Sequence, residues 1–187
     1  MKHHDAHRPA THFAAHLATH HDRRAGLGTA VLAAALAAGL PLLASAGVGD
    51  APAAATTAHF GSGCGAQTLE LLANSRSTVG NTNFGLVVEG VRATGVVGLL
   101  IGASNEALAG RVLPLDLAPF GHAGCALLVD PLDVRAVPTR AGTVHFAAPI
   151  PEAEELMGLT LHVQAFAFEL ATGELSLSGG LTVVIGA

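Results

Sequence analysis

From residue 60 to the C-terminus the chain repeats one pattern: a short run of alternating apolar residues, then glycine or proline. The interruptions come about every 8–12 residues, which leaves no room for long helices and fits strands joined by turns. The clearest run is "LTLHVQAFAFEL" (159–170). Leu161, Val163, Ala165 and Ala167 fall on one face, and His162, Gln164, Phe166 and Phe168 on the other. Further runs occupy 68–73, 83–91, 95–104, 110–117, 125–131, 133–139, 142–150 and 181–186. Period two with this turn spacing predicts an all-β fold, a single antiparallel β-sandwich or jelly-roll-like domain over 61–187. "PIPEAEELMG" (149–158) departs from it: proline first, acids next and a glycine stop predict a short helical turn. Ala141-Gly142, Thr172-Gly173 and Gly179-Gly180 are read as turns between antiparallel neighbours, so the C-terminal part reads as a meander. Prolines at 114, 119, 131, 138, 149 and 151 assign several short elements to sheet edges or strand ends, because proline cannot donate to a ladder.

Trp and Tyr are absent, so the core has to come from Leu, Val, Ile, Ala and seven Phe. Charge is unevenly spread. From Gly47 onward five Arg and no Lys face twelve acids, a net of −7, while the first 46 residues carry a net of +2. The body has no basic cluster, which argues against a nucleic-acid partner.

The N-terminal region reads as an address. Residues 25–46, "AGLGTAVLAAALAAGLPLLASA", carry no charge, follow Arg23-Arg24 and end in Ala44-Ser45-Ala46. A positive flank, an apolar stretch and a small-x-small site are the parts of a secretory signal, with cleavage expected after Ala46. The arginine pair also admits twin-arginine export, and the run is about long enough for a membrane anchor. Its alanine, glycine and Pro41 favour the signal. Residues 1–24 form a His-rich extension in which His12, His16 and His20 share a helical face. That spacing suits a divalent metal, but the segment lies upstream of the signal and would leave with it. Residues 47–60 are read as a flexible linker. The expected location is therefore outside the cell, in the periplasm or at the cell surface, with membrane contact only through the export signal.

Cys64 and Cys125 are the two cysteines of the chain. In an exported protein they are most simply one disulfide. The competing reading of "PLDLAPFGHAGCALLVDP" (114–131) pairs a Cys125 nucleophile with His122 or His145. No third group or recognisable motif accompanies it, and a zinc site would lack C-x-x-C or H-x-x-x-H spacing. The clasp reading makes Pro119, Gly121 and Gly124 turn the chain, Cys125 tie it to Cys64, and Ala126–Val129 enter the core. Glu152, Glu154 and Glu155 read as a solvated face, with extracellular calcium as the sharper option. Asp116, Asp130 and Asp133 are the carboxylates a hydrolase would draw on. "GASN" (102–105) does not meet G-x-S-x-G. No catalytic residue, metal ligand or cofactor is assigned.

Several segments in this order resemble a β-rich domain of exported proteins from planctomycetes and other large-genome bacteria. They are "GSGC", "VGNTNFGLVVEG", "LLIGAS", "LPLDLAPFGHAGCALLV", "PIPEAEELMGLTLHVQAFAFEL" and "LSGGLTVVIG". The matching positions are Gly61, Gly63, Cys64, Gly80, Asn81, Gly102, Ser104, Leu113 to Leu117, Gly121, Gly124, Cys125, Pro149 to Pro151, Gln164 and Leu181. The resemblance covers about residues 61–186. It departs where Ala165, Phe166 and Ala167 follow Gln164 in place of aromatics nearer the Gln, and where "SGGL" replaces "SNGL". It implies an exported, disulfide-closed β-domain and no catalytic chemistry. The expected function is a non-enzymatic structural, adhesive or protein-interaction role with an unknown protein or glycan partner. A carbohydrate-binding module is the alternative, although the chain lacks the Trp and Tyr that stack on sugar rings. A hydrolase is the third option.

Overall fold

A computed structural model of the chain describes residues 52–92, 94–139 and 142–187. The His-rich extension, the signal-like run and the arginine pair lie outside the described residues. Twelve strands follow in chain order: β1 (Thr56–Phe60), β2 (Glu70–Ala73), β3 (Gly85–Val91), β4 (Gly95–Gly102), β5 (Ala107–Leu108), β6 (Arg111–Val112), β7 (Leu115–Asp116), β8 (Ala126–Leu127), β9 (Asp133–Thr139), β10 (Gly142–Ala147), β11 (Thr160–Glu169) and β12 (Leu175–Val184). Five form one sheet in the order β1-β12-β11-β4-β9, and three form a second in the order β10-β3-β2. All the strand pairs are antiparallel. The protein is an antiparallel β-sandwich, as its period-two pattern requires.

The inward faces of the two sheets meet in one apolar cluster. Leu71, Leu86 and Val88 come from the small sheet, and Val97, Leu99, Val163, Ala165, Leu181 and Val183 from the large one. Removal of such residues from water is the main term favouring the fold. The helical turn expected within 149–158 is a single 3-10 turn at Glu154–Leu156. The run 110–117 is divided into β6 and β7 by a cis Leu113–Pro114 peptide.

Three expectations need correction. Residues 56–60 are not linker: β1 pairs along its whole length with β12, from Thr56 opposite Val184 to Phe60 opposite Gly180. The sandwich therefore begins before residue 61. Next, Gly179-Gly180 does not turn the chain. β12 runs straight through it, with a register shift against β11 between Gln164 and Phe166. Glycine is used there for space, since the Phe60 ring lies where a Gly180 side chain would be. Finally, β9 and β10 are not a hairpin. β9 pairs with β4 and β10 with β3, so the chain passes from one sheet to the other between them. Alternation shows that a strand has one apolar face but not which sheet receives it.

Candidate interaction surface

The outward face of the large sheet has two halves. Over the β11–β12 half, the segment between β4 and β9 folds back and is fastened at two points. The first is the disulfide: Cys64 and Cys125 are bonded at 2.06 Å, and the Cys64 backbone exchanges hydrogen bonds with Leu177 on β12. The second is Gln164, which the alternation of β11 places outward and which is nonetheless completely buried. Its Oε1 accepts the Leu128 N–H at 3.0 Å, and its Nε2 donates to Ala126 O at 3.1 Å and Ser178 O at 3.0 Å. One amide thus satisfies three backbone groups, two on the covering segment and one on β12. Leu113, Cys125, Leu128 and Val129 are buried but lie outside the inter-sheet cluster. Ala126 and Leu127 are half-buried. The segment "ALLV" enters a second, smaller apolar layer and not the main core.

Beside Gln164 sits His162, half-buried, with Nδ1 at 3.0 Å from Thr182 Oγ1 and the Phe60 ring edge-on at 5.8 Å. Desolvation lowers its pKa below the ordinary imidazole value, and the charge of Glu106 opposes this in part. The fold prefers the neutral ring, so protons bind more readily to the unfolded chain. The contribution to stability is therefore present above the unfolded value of about 6.5 and is lost as the pH falls through the lower, folded value. Melting temperature should decline on acidification below about pH 6.5. His162→Gln should flatten that decline, and thermal melts across the pH series check it.

The β4–β9 half of the same face is bare and apolar. Residues opposite one another form cross-strand rows: Phe168, Val96 and Pro138; then Phe166, Gly98 and Ala136; then Leu100 and Val134 next to the buried Gln164. None of them is charged. The Phe166 ring fills the space a side chain on Gly98 would need, and so covers that glycine from the neighbouring strand. Val96, Leu100 and Phe166 are half-buried, while Phe168 is 36 % exposed and the residues at the edge more so, 55 % at Val134 and 69 % at Leu132. β9 is the last strand of the sheet. Its inward residues Arg135 and Val137 are exposed as well. The only salt bridge found among the described residues lies on this strand, with Arg135 Nε at 3.0 Å from Asp133 Oδ2.

The other residues considered from sequence have structural places. Cys125 carries no free thiol, which removes the Cys–His pair and a cysteine-ligated zinc. His122 sits in the loop that the disulfide closes, where its carbonyl accepts the Cys125 N–H. Gly121 and Gly124 have positive φ of 91° and 76°, the turning role expected of them. Asp116 accepts the Ala118 N–H at 2.9 Å, and Asp133 holds Arg135. Glu152, Glu154 and Glu155 are exposed. Among the described residues no group of three or more His, Cys, Asp or Glu is placed to hold a metal ion, and no helix is long and apolar enough to cross a membrane. Asn81 organises the loop before β3: its Nδ2 donates to Arg76 O, and its Oδ1 accepts the Asn83 N–H. Alternation missed the burial of Gln164 and the bare half of the face. Pro131 before β9 and Pro138 within it, already read as marks of an edge or strand end, were the signal for the edge.

No family model matches the chain, and no curated protein or solved structure shows significant similarity to it.

Proposed function

We propose that this is an exported, non-enzymatic β-sandwich protein that works through protein contact at the cell surface. The observation carrying this reading is the uncharged outward face of β11, β4 and β9, which ends on an edge strand exposed on both sides. A contiguous exposed apolar patch on an otherwise acidic body is the usual mark of an interaction site, and a free strand edge adds backbone groups able to pair with another strand. The disulfide is compatible with an oxidising compartment, and the signal-like run at 25–46 supplies a route to it. The resemblance to exported planctomycete domains points the same way.

Envelope fractionation tests the reading. The protein should remain with the cell envelope, and Val134→Asp or Phe168→Asp should shift most of it to the medium while the disulfide and the β-sheet circular dichroism persist. Unchanged retention of both variants would overturn it. Saturable binding on a glycan array would replace it with the carbohydrate-binding reading.

A further inference from the structure

We infer that β9 pairs with itself: two copies of the chain join edge to edge, antiparallel, about a two-fold axis midway between their Val134 residues, giving one continuous sheet. This rests on the contact reading above and names its partner as a second copy. Pro131 and Pro138 bracket the six residues Leu132–Val137. Pro138 has no N–H, and the Leu132 N–H already donates to Ile101 O. A new ladder is therefore confined to about the stretch between these two.

Charge then selects the register. A two-fold axis normal to a sheet sets each residue opposite one on the same face, so in an antiparallel pair the axis stands level with one residue, midway between its two copies, and not level with a peptide between two residues. With the axis at Val134, Asp133 of each copy stands opposite Arg135 of the other. Moved by one residue, the axis sets either Asp133 against its own copy or Arg135 against its own copy. At Ala136 it leaves both charges without a counterpart. Opposite charges directly across a strand pair stabilise it and like charges destabilise it, so one register is favoured and both adjacent ones are opposed. On the outward face the same register brings Val134 against Val134 and Leu132 against Ala136. It covers side chains that are 55 % and 69 % exposed in the single chain, and it continues the uncharged rows of β11 and β4 across the junction. The Asp133–Arg135 pair within each strand becomes half of a four-charge cluster of alternating sign. A strand from an unrelated protein would have no need of this self-match.

Sedimentation velocity on the full chain should show a concentration-dependent monomer–dimer equilibrium. Arg135→Asp and Asp133→Arg should each weaken the dimer roughly ten- to a hundredfold, because both put like charges opposite one another twice. Mixing the two variants should restore a dimer in one-to-one ratio, since each then meets its opposite, and the double exchange D133R/R135D should dimerise alone. The three sequences alter only the exposed Arg135 and the half-buried Asp133, and retained disulfide and circular dichroism establish that they fold. A chain monomeric up to about 1 mM, a dimer indifferent to the single exchanges, or no recovery on mixing would each overturn the inference. If the chain is monomeric while Val134→Asp still releases it from the envelope, the contact reading stands and the partner is another protein. If neither effect is seen, both fall.

Discussion

Gln164→Leu should destabilise the protein by about 3–5 kcal/mol, although the two side chains are close in size. The substitution removes no core volume. It strands the Leu128 N–H, Ala126 C=O and Ser178 C=O, which the amide now satisfies. Each buried, unpaired backbone group costs about 1–3 kcal/mol, and part of that is recovered if the covering segment lifts and admits water. Urea unfolding at neutral pH measures the loss. Gln164→Glu separates hydrogen bonding from shape. A carboxylate can still accept from Leu128, but it faces two carbonyl oxygens with nothing to donate. Its folded pKa must then be raised, because only the protonated acid can give a hydrogen bond there. The defect in this variant should therefore ease as the pH falls through that raised value, towards the ordinary glutamate value of about 4.3.

Removal of the disulfide should have a comparable effect. Cys64 and Cys125 are 61 residues apart, and closing a loop of that length in the unfolded chain corresponds to about 4 kcal/mol in the chain-entropy model. For a domain of this size the melting temperature of Cys64→Ala/Cys125→Ala should drop by roughly 10–15 °C. Reduction of the native protein should give the same shift. Because the bridge and Gln164 fasten the same segment to the same sheet, the two losses should not add. Once one fastening is gone the segment is partly free, and the second substitution should cost less than it does alone. A double-mutant cycle checks this.

The features legible in the sequence were those fixed locally. Alternation along β11 set Leu161, Val163, Ala165 and Ala167 on one face, and that face is the inward one, with Leu161 half-buried and the other three buried. Two cysteines in a chain read as exported pointed to the clasp, and it is formed. What the sequence hid was set by distant partners. The same alternation put Gln164 on the outward face, where a polar residue reads as solvated or ligand-binding. It is buried because residues 126–128, nearly forty positions earlier, are laid over it. Gly179-Gly180 read as a turn because glycine pairs so often are. Its real neighbour, the Phe60 ring on β1, stands 120 positions away. β9 and β10 read as a hairpin because they are adjacent in the chain, yet their ladders belong to different sheets. The uncharged face was hidden for a related reason. Its rows form only once β11, β4 and β9 lie side by side in one register.

The clasp between Cys64 and Cys125 also bears on how quickly the sheet closes. β1 and β12 are neighbours in space but lie near opposite ends of the domain, so Phe60 must find Gly180 across 120 intervening positions. Once the bond exists, the shortest covalent route from one to the other crosses it and is about half as long. Halving a closing loop lowers its entropic cost by about 0.6 kcal/mol, a roughly threefold gain in rate if closure limits folding. An oxidised chain thus reaches its outermost strand pair along a shorter path than a reduced one does. Bond formation in an oxidising compartment would prepare the sheet for closure as well as secure it afterwards.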